Sequence, residues 1–129
     1  MNDSDKSAPR LHIVATPKYL DEQSEPQEQR YVFAYTIEIE NVGEVPCQLL
    51  NRHWIITDGT GEVEEVRGEG VVGQQPHLVA GQKFEYTSGA ILKTPVGTMH
   101  GEFEFTDDAG ARFEVPIPVF SLRVPNLIH

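Results

Sequence analysis

The chain has 129 residues and carries 10 Lys plus Arg against 20 Asp plus Glu, which gives a net charge of −10 at pH 7. This length suits one domain, and a single cysteine excludes an internal disulfide. No apolar run reaches the ~20 residues of a membrane helix, and the acidic balance argues against binding a nucleic-acid backbone. We therefore expect a soluble cytoplasmic protein with no membrane insertion, no nucleic-acid partner and no cofactor.

The N-terminal part of the chain contains one predicted strand between two polar segments. Residues 1–9 carry no periodic apolar signal, which predicts a disordered tail followed by a single domain over residues 10–129. A first strand is expected at residues 11–16. The sequence DEQSEPQE at residues 21–28 is too rich in carboxylates to pack, which predicts a long solvated connection to the next strand.

The next two predicted strands show the two-residue period of half-buried β-structure. The inward face of the first is apolar or aromatic throughout: Tyr31, Phe33, Tyr35, Ile37 and Ile39. The run at residues 46–58 places Leu50, Trp54 and Ile56 on one face. It ends at the sequence DGTG, which is a strong turn signal.

Four shorter strands are expected after this turn, at residues 62–67, 82–88, 98–106 and 111–119. The inward residues of the last two are Met99, Phe103 and Phe105, then Phe113, Val115, Ile117 and Val119. Prolines at positions 116 and 118 remove N–H donors from one side of the last strand, which predicts an edge strand. Seven strands around one tryptophan predict an all-β fold, an antiparallel two-sheet sandwich of fibronectin type III or immunoglobulin-like type.

Gly68, Gly70 and Gly73 form a G-x-G-x-x-G pattern, which in a βαβ unit holds a pyrophosphate at a helix N-terminus. Here Pro76 leaves no room for that helix, and Glu69 places an anion inside the loop. The residues therefore favour a glycine-rich bend between strands. Binding of a nucleotide or dinucleoside polyphosphate at this loop is the alternative.

Arg52 and His53, next to Trp54, form the densest chemical cluster of the sequence. They indicate either a recognition surface, with His53 as a candidate general base, or a core tryptophan whose two neighbours are satisfied locally. No nucleophile–base pair or paired carboxylates indicate an enzyme, so we name no catalytic residue. The residues that we predict to bind a partner are Arg52, His53, Gly68, Gly70, Gly73 and Gln75.

A weak metal site is a further possibility on the penultimate strand. His100, Glu102 and Glu104 share one face there, with neighbours spaced roughly 6.6 Å apart. At that spacing two of them reach one cation only when another strand adds a ligand. The alternative is a wet sheet face.

Several segments of the chain carry a family resemblance. They are YVFAYTIEIENVG (31–43), RHWIITD (52–58), GEGVVGQQP (68–76), TPVGTMHG (94–101) and FEVPIPVF (113–120), with Phe84, Tyr86, Thr87, Ser88, Gly89 and Leu92 between them. Over residues 10–127 the chain resembles the ApaG family. The resemblance implies a fibronectin type III sandwich, which agrees with the strand pattern.

The resemblance also implies a link to cobalt resistance and magnesium efflux, and no catalytic residue. Similar domains occur in F-box proteins and in a polymerase-delta-interacting protein, which implies an interaction role. We therefore expect a non-enzymatic protein-interaction module linked to divalent-cation homeostasis, with a protein partner and with divalent cations as further ligands. The alternatives are direct, weak metal binding and nucleotide or dinucleoside polyphosphate binding at the glycine-rich loop. The oligomeric state is left open.

Overall fold

The computed structural model describes residues 8–126, and β-strands account for most of this range. Residues 1–7 of the predicted tail and residues 127–129 lie outside it. The eight strands in the described range are β1 (Leu11–Tyr19), β2 (Tyr31–Asn41), β3 (Cys47–Asp58), β4 (Val63–Glu69), β5 (His77–Leu78), β6 (Lys83–Leu92), β7 (Val96–Asp107) and β8 (Arg112–Arg123). Their alternation of apolar and polar residues suits the two faces of a pleated strand.

The strands form two antiparallel sheets, one with the order β1-β2-β6 and the other with the order β4-β3-β7-β8. The sheets meet across a shared core, where the rings of Tyr35 and Trp54 lie 5.3 Å apart. The predicted all-β sandwich is therefore confirmed. The strand absent from the prediction is β5, which pairs with the start of β3 through Cys47 and Leu78. With two residues it is too short to show a period of two.

The core between the sheets is built largely by β2 and β7. Phe33, Ile37 and Ile39 on β2 are fully buried on the predicted face, and Phe103 and Phe105 on β7 are fully buried as well. Burial of each such side chain contributes roughly 1.5–3 kcal/mol. The sandwich therefore needs no disulfide or metal to hold it together.

A β-bulge in β3 changes which of its residues face the core. Leu49 pairs with Phe105 on β7, whereas Asn51 pairs with Glu104, so Leu50 is an extra residue on β3. The leucine that faces the core is Leu49, which is fully buried, while Leu50 is only half-buried. The prediction that Leu50 lies on the core face is wrong, because strict alternation does not survive an inserted residue.

The bulge also decides where the polar residues of β3 point. Before it, Cys47 and Leu49 face the core, and after it Trp54 does so, at 2% exposure. Arg52 lies two residues before Trp54 and therefore shares its face, toward the space between the sheets. His53 lies on the opposite, outer face, as the alternation around Trp54 predicts.

The last strand, β8, lies at one end of its sheet, as its prolines predict. Met99 on β7 pairs with Phe120, while Gly101 pairs with Ile117, so β8 also carries an extra residue. The prediction that Val119 faces inward is wrong, since this side chain is 64% exposed. Phe120 packs against the core in its place.

The connection between β1 and β2 contains two short 3₁₀ turns, Asp21–Gln23 and Pro26–Glu28. Its side chains are mostly exposed, as expected, but the segment is not a plain solvated link. The Ser24 hydroxyl donates to the Leu20 carbonyl (2.7 Å) and accepts from the Val32 N–H (2.9 Å), which ties the segment to the sheet. Within residues 8–126, no helix is long and apolar enough to span a bilayer.

Candidate functional site

The glycine-rich loop forms a tight turn over residues 71–74, which we call the glycine turn. The Val71 N–H donates to the Gln74 carbonyl (2.8 Å), and the Gln74 N–H donates to the Val71 carbonyl (2.9 Å). The two central residues, Val72 and Gly73, have φ angles of 42° and 80°. Positive φ at both central positions defines a type I′ turn. The predicted bend between strands is therefore confirmed.

Gly70 precedes the turn and can be no other residue without strain. Its φ is +67°, and a Cβ atom there would lie 2.6 Å from the Gln74 carbonyl oxygen. Its N–H donates to the Leu50 carbonyl (2.8 Å), at the bulge of β3. The bulge and the glycine turn thus form one connected unit, although about twenty residues separate them in the chain.

Arg52 fastens the glycine turn to the edge of the sheet. Its Nη1 atom donates to the carbonyls of Glu69 (3.0 Å) and Gly70 (2.9 Å). The guanidinium lies over Gly68, where a Cβ atom would be 2.6 Å from its Cζ atom. Arg52, which was placed with the glycine-rich loop among the predicted partner-binding residues, therefore contacts that loop, and the absence of a side chain at Gly68 permits the contact.

Gln75 completes the attachment of the turn to the bulge. Its side-chain amide donates to the Leu50 carbonyl (3.0 Å), and its own carbonyl accepts from the Gln48 side chain (2.9 Å). Five of the six predicted partner-binding residues, those other than His53, therefore lie in or beside one structural unit. After the turn, Pro76 leads into β5 rather than into a helix, so no helix N-terminus stands behind the glycines.

His53 lies apart from the glycine turn, on the outer face of β3. Its Nδ1 atom is 2.5 Å from a carboxylate oxygen of Glu102 on β7, and its Nε2 atom is 2.8 Å from one of Glu65 on β4. Carboxylates only accept hydrogen bonds, so both contacts are hydrogen bonds only when the imidazole carries two protons. The bonds to Glu102 and Glu65 raise the His53 pKa, and the bond to His53 lowers the Glu65 pKa.

The three residues predicted to bind a metal do not converge on one point. Glu102 is engaged by His53, and Glu104 accepts from the Asn51 side chain (2.7 Å) with Arg112 at 3.8 Å. The Nδ1 atom of His100 is buried, and it has no hydrogen-bond partner in the described part of the chain. Among residues 8–126, no group of three His, Cys, Asp or Glu side chains could hold a metal ion. His100, Glu102 and Glu104 do share one face of β7, but the two carboxylates already contact residues of the neighbouring strands.

A cavity of about 330 Å³ lies beneath the glycine turn, and its inner walls were not identified from the sequence. Arg52 and Trp54 line it from one sheet, and Tyr35, Tyr86 and Ser88 line it from the other. The sequence did contain a signal for these walls, because two successive inward-facing residues of β6, Tyr86 and Ser88, carry hydroxyl groups. Burial raises the pKa of Tyr86 strongly, so its hydroxyl stays protonated at neutral pH.

Comparison with known proteins agrees with the fold. The family model of the ApaG domain matches residues 21–107, a range that includes Arg52 and the glycine turn. Protein ApaG of Citrobacter koseri is 52% identical over 123 residues, 95% of this chain and 98% of that protein. Protein ApaG of Aromatoleum aromaticum is 50% identical over 129 residues, 100% of both chains. Among solved structures, the ApaA protein from Bordetella pertussis is 54% identical with a TM-score of 0.90, covering 92% of this chain and 97% of that one.

Proposed function

The chain belongs to the ApaG family, and on that basis we propose that it is a non-enzymatic, cytoplasmic protein-interaction module that binds a partner protein through its glycine turn. The partner acts in divalent-cation homeostasis, the role in cobalt resistance and magnesium efflux that the family resemblance implies. The observation that carries the proposal is the position of one residue, Val72.

Val72 is both exposed and conformationally strained. Its side chain is 53% exposed at the tip of the turn, and its φ is 42°. A β-branched residue rarely adopts this region, and holding one there costs about 1–3 kcal/mol. Asn or Gly would fill the position without strain, yet neither would present an apolar surface. Contact between Val72 and another molecule explains why an apolar residue occupies this position despite the strain.

The surroundings of Val72 supply the rigidity that a recognition surface needs. Arg52, Gly70 and Gln75 fix the turn to β3 through four hydrogen bonds of 2.8–3.0 Å. A surface that is already ordered loses little conformational entropy when it binds. The partner therefore meets a fixed apolar tip, flanked by polar groups of the loop.

The state of His53 supports a role without catalysis. When both ring nitrogens donate to Glu65 and Glu102, no lone pair remains to accept a proton from a substrate. The two carboxylates thus favour the protonated form of the residue that sequence analysis considered as a general base. Its place in the molecule is that of a cross-strand tie among β3, β4 and β7.

A photo-cross-linking residue placed at position 72 tests the binding surface directly. We expect a discrete adduct with one cellular protein when the cross-linker replaces Val72. The matched control replaces Val119, which is similarly exposed but lies on β8 at the opposite edge of the sheet. Equal adducts from both positions, or none from position 72, would contradict the proposal.

The link to cations is tested by growth in cobalt of an Escherichia coli strain that lacks its own homologue. We expect the wild type and the control Val119→Asp to restore cobalt tolerance, and Val72→Asp to fail. Asp tolerates positive φ better than Val, so Val72→Asp keeps or raises the thermal midpoint, and a failure reports lost recognition. Full tolerance with Val72→Asp would show that the turn is not the surface in use.

A further inference from the structure

Two side chains that line the cavity beneath the glycine turn carry buried polar atoms that the described part of the chain leaves without partners. They are Trp54 and Tyr86, which are 2% and 7% exposed. Within the described part of the chain, neither the indole Nε1 atom of Trp54 nor the hydroxyl of Tyr86 has a hydrogen-bond partner. More than nine in ten buried polar groups in proteins are satisfied, so two unsatisfied groups in one cavity require an explanation.

The missing partner has a defined chemical character. An indole N–H only donates, and a phenol hydroxyl donates to a stronger acceptor, so both atoms would be satisfied by an acceptor. Arg52 adds a positive charge to the same cavity. Both of its hydrogen bonds given above come from Nη1, which leaves the donors of Nε and Nη2 for a ligand. The cavity therefore presents a cation and neutral donors together.

The charge of Arg52 affects the pKa of both tyrosines that line the cavity. Burial raises the pKa of Tyr35 and of Tyr86, and the nearby Arg52 guanidinium acts in the opposite direction on each. The Ser88 hydroxyl also lowers the Tyr35 pKa by hydrogen bonding. Burial dominates both shifts, so the contribution that favours a negative charge in this cavity is that of the Arg52 guanidinium.

We propose that this cavity binds a small molecule that carries one carboxylate group on a planar apolar body. The carboxylate meets Arg52 and the free donors of Trp54 and Tyr86. The planar body lies against the aromatic walls, where the rings of Tyr35 and Trp54 meet edge to face at 5.3 Å. A volume of about 330 Å³ lies at the lower end of ligand cavities, which suits a molecule the size of benzoate.

A monoanion suits this site better than a phosphate group does. Arg52 is the one cationic residue among those that line the cavity, and Glu69 adds a carboxylate at its rim. The chain as a whole carries −10, so a dianion meets more repulsion than a monoanion. This proposal is independent of the partner-binding role of the turn.

Entry to the cavity involves the glycine turn, which forms one of its walls. The unpartnered atoms of Trp54 and Tyr86 are closed to water in this arrangement, so a ligand that reaches them displaces side chains at the rim, such as that of Val72, while the hydrogen-bonded backbone of the turn keeps its place.

The single tryptophan of the chain provides a specific probe, because its indole N–H gives one cross-peak in a ¹⁵N–¹H correlation spectrum. We expect titration with benzoate to shift this cross-peak saturably. Benzamide, which has the same shape without the charge, and phenyl phosphate, which carries a larger charge, should each bind roughly ten-fold more weakly or worse. An unmoved indole signal up to the solubility limit of benzoate would overturn the proposal, as would tighter binding of phenyl phosphate.

Tyr86→Phe separates a ligand-binding role from a structural one. Its hydroxyl has no partner, so the ligand-free variant should keep or raise its thermal midpoint while its affinity for benzoate falls roughly ten-fold. The control is Tyr19→Phe, whose ring packs on Phe33 at 5.3 Å outside the cavity, and its affinity should not change. Wild-type affinity in Tyr86→Phe would refute the site. Cross-linking at position 72 is scored separately, so the two proposals can fail independently.

Discussion

Two kinds of turn connect the strands of this sandwich. The hairpin turns that begin at Asp58 and Asp107 are held by their own first residue. Oδ1 of Asp58 accepts from the backbone N–H groups of Thr60 and Glu62 at 2.8 and 3.0 Å. Oδ1 of Asp107 likewise accepts from two backbone N–H groups of its turn, at 3.0 and 2.9 Å. These aspartate caps act within five residues of sequence, although the Gly59 N–H of the first turn also donates to the Thr94 hydroxyl (2.8 Å).

The glycine turn is closed by two backbone hydrogen bonds between Val71 and Gln74, and it is tied to the bulge at Leu50 by the side chains of Arg52 and Gln75. Its tip holds Val72 at positive φ. The hairpin turns are thus capped by a side chain of their own first residue, whereas the glycine turn is attached to the sheet edge by side chains outside it. This difference indicates where a functional surface lies, because a strained residue such as Val72 persists only where the surrounding structure compensates for its strain.

The largest expected effect comes from adding one methyl group to each kind of turn. Gly70→Ala should lower the free energy of unfolding by about 3 kcal/mol, because positive φ and the contact with the Gln74 carbonyl both oppose a Cβ atom. Gly110→Ala, in the Asp107 hairpin, has a similar φ of +92° but open space around the added atom. It should cost about 1 kcal/mol. Urea unfolding of both variants gives the comparison.

Equal losses in the two alanine variants would contradict the comparison. In that case the φ angle alone would set the cost, and the attachment of the glycine turn to its surroundings would contribute nothing. The two free energies of unfolding can be compared only if the dependence of the free energy on urea concentration, the m-value, is the same in both variants.

A smaller effect of opposite sign is expected from Val72→Asn. Asn-Gly is the preferred central pair of a type I′ turn, so relief of strain should raise the free energy of unfolding by about 1 kcal/mol. The control is Val42→Asn, at a valine that is 48% exposed outside the strands and does not have positive φ. Chemical denaturation should show stabilisation in the first variant and little change in the second. A stabilisation of the same size in both would mean that φ at Val72 is not the cause.

The smallest effect is a pH dependence at His53, which extends the contrast between local and distant contacts to a side chain. Its pKa is raised above the ordinary 6.5 by Glu102 and Glu65, so its contribution to stability is present below about pH 6.5 and is lost as pH rises through the folded-state value. His53→Gln should lower the thermal midpoint by a few degrees at pH 6 and by less at pH 9. His77→Gln, whose imidazole meets one exposed carboxylate, Asp108, should change less.

A thermal midpoint of His53→Gln that differs from the wild type equally at both pH values would contradict this interpretation. Such a result would mean that shape or packing, rather than the charge on the imidazole, makes the contribution. The Glu65 carboxylate acts in the opposite direction, since its lowered pKa gives stability that is lost as pH falls.

Local patterns predicted the elements that depend on local chemistry. The alternation from Phe33 to Ile39 placed the buried face of β2 correctly, and the sequence DGTG marked the turn that begins at Asp58. Positive φ at Gly70 and Gly73 likewise follows from the glycine spacing. In each case the residue on which the prediction rests is also the residue that stabilises the local conformation.

Features set by pairing between strands could not be predicted in the same way. The bulge at Leu50 depends on how β3 meets β7, and the contacts of His53 need the registers of β4 and β7 at the same time. Whether the hydroxyl of Tyr86 finds a partner depends on residues distant in sequence, and within residues 8–126 it has none. None of these features depends on residues that are close in sequence to the residue concerned. The glycine turn could therefore be predicted from the sequence, whereas the cavity beneath it could not.

The bulge at Leu50 makes the number of residues in β3 a part of the site. Because Leu50 is the extra residue of the bulge, its deletion would restore plain alternation along β3 and leave Arg52 on the inner face and His53 on the outer face. The glycine turn would instead lose the Leu50 carbonyl, which accepts from the Gly70 N–H and from the Gln75 side chain. A residue whose side chain is not needed for the core therefore contributes to the site through its backbone, and a deletion at this point would test the attachment of the turn rather than the fold.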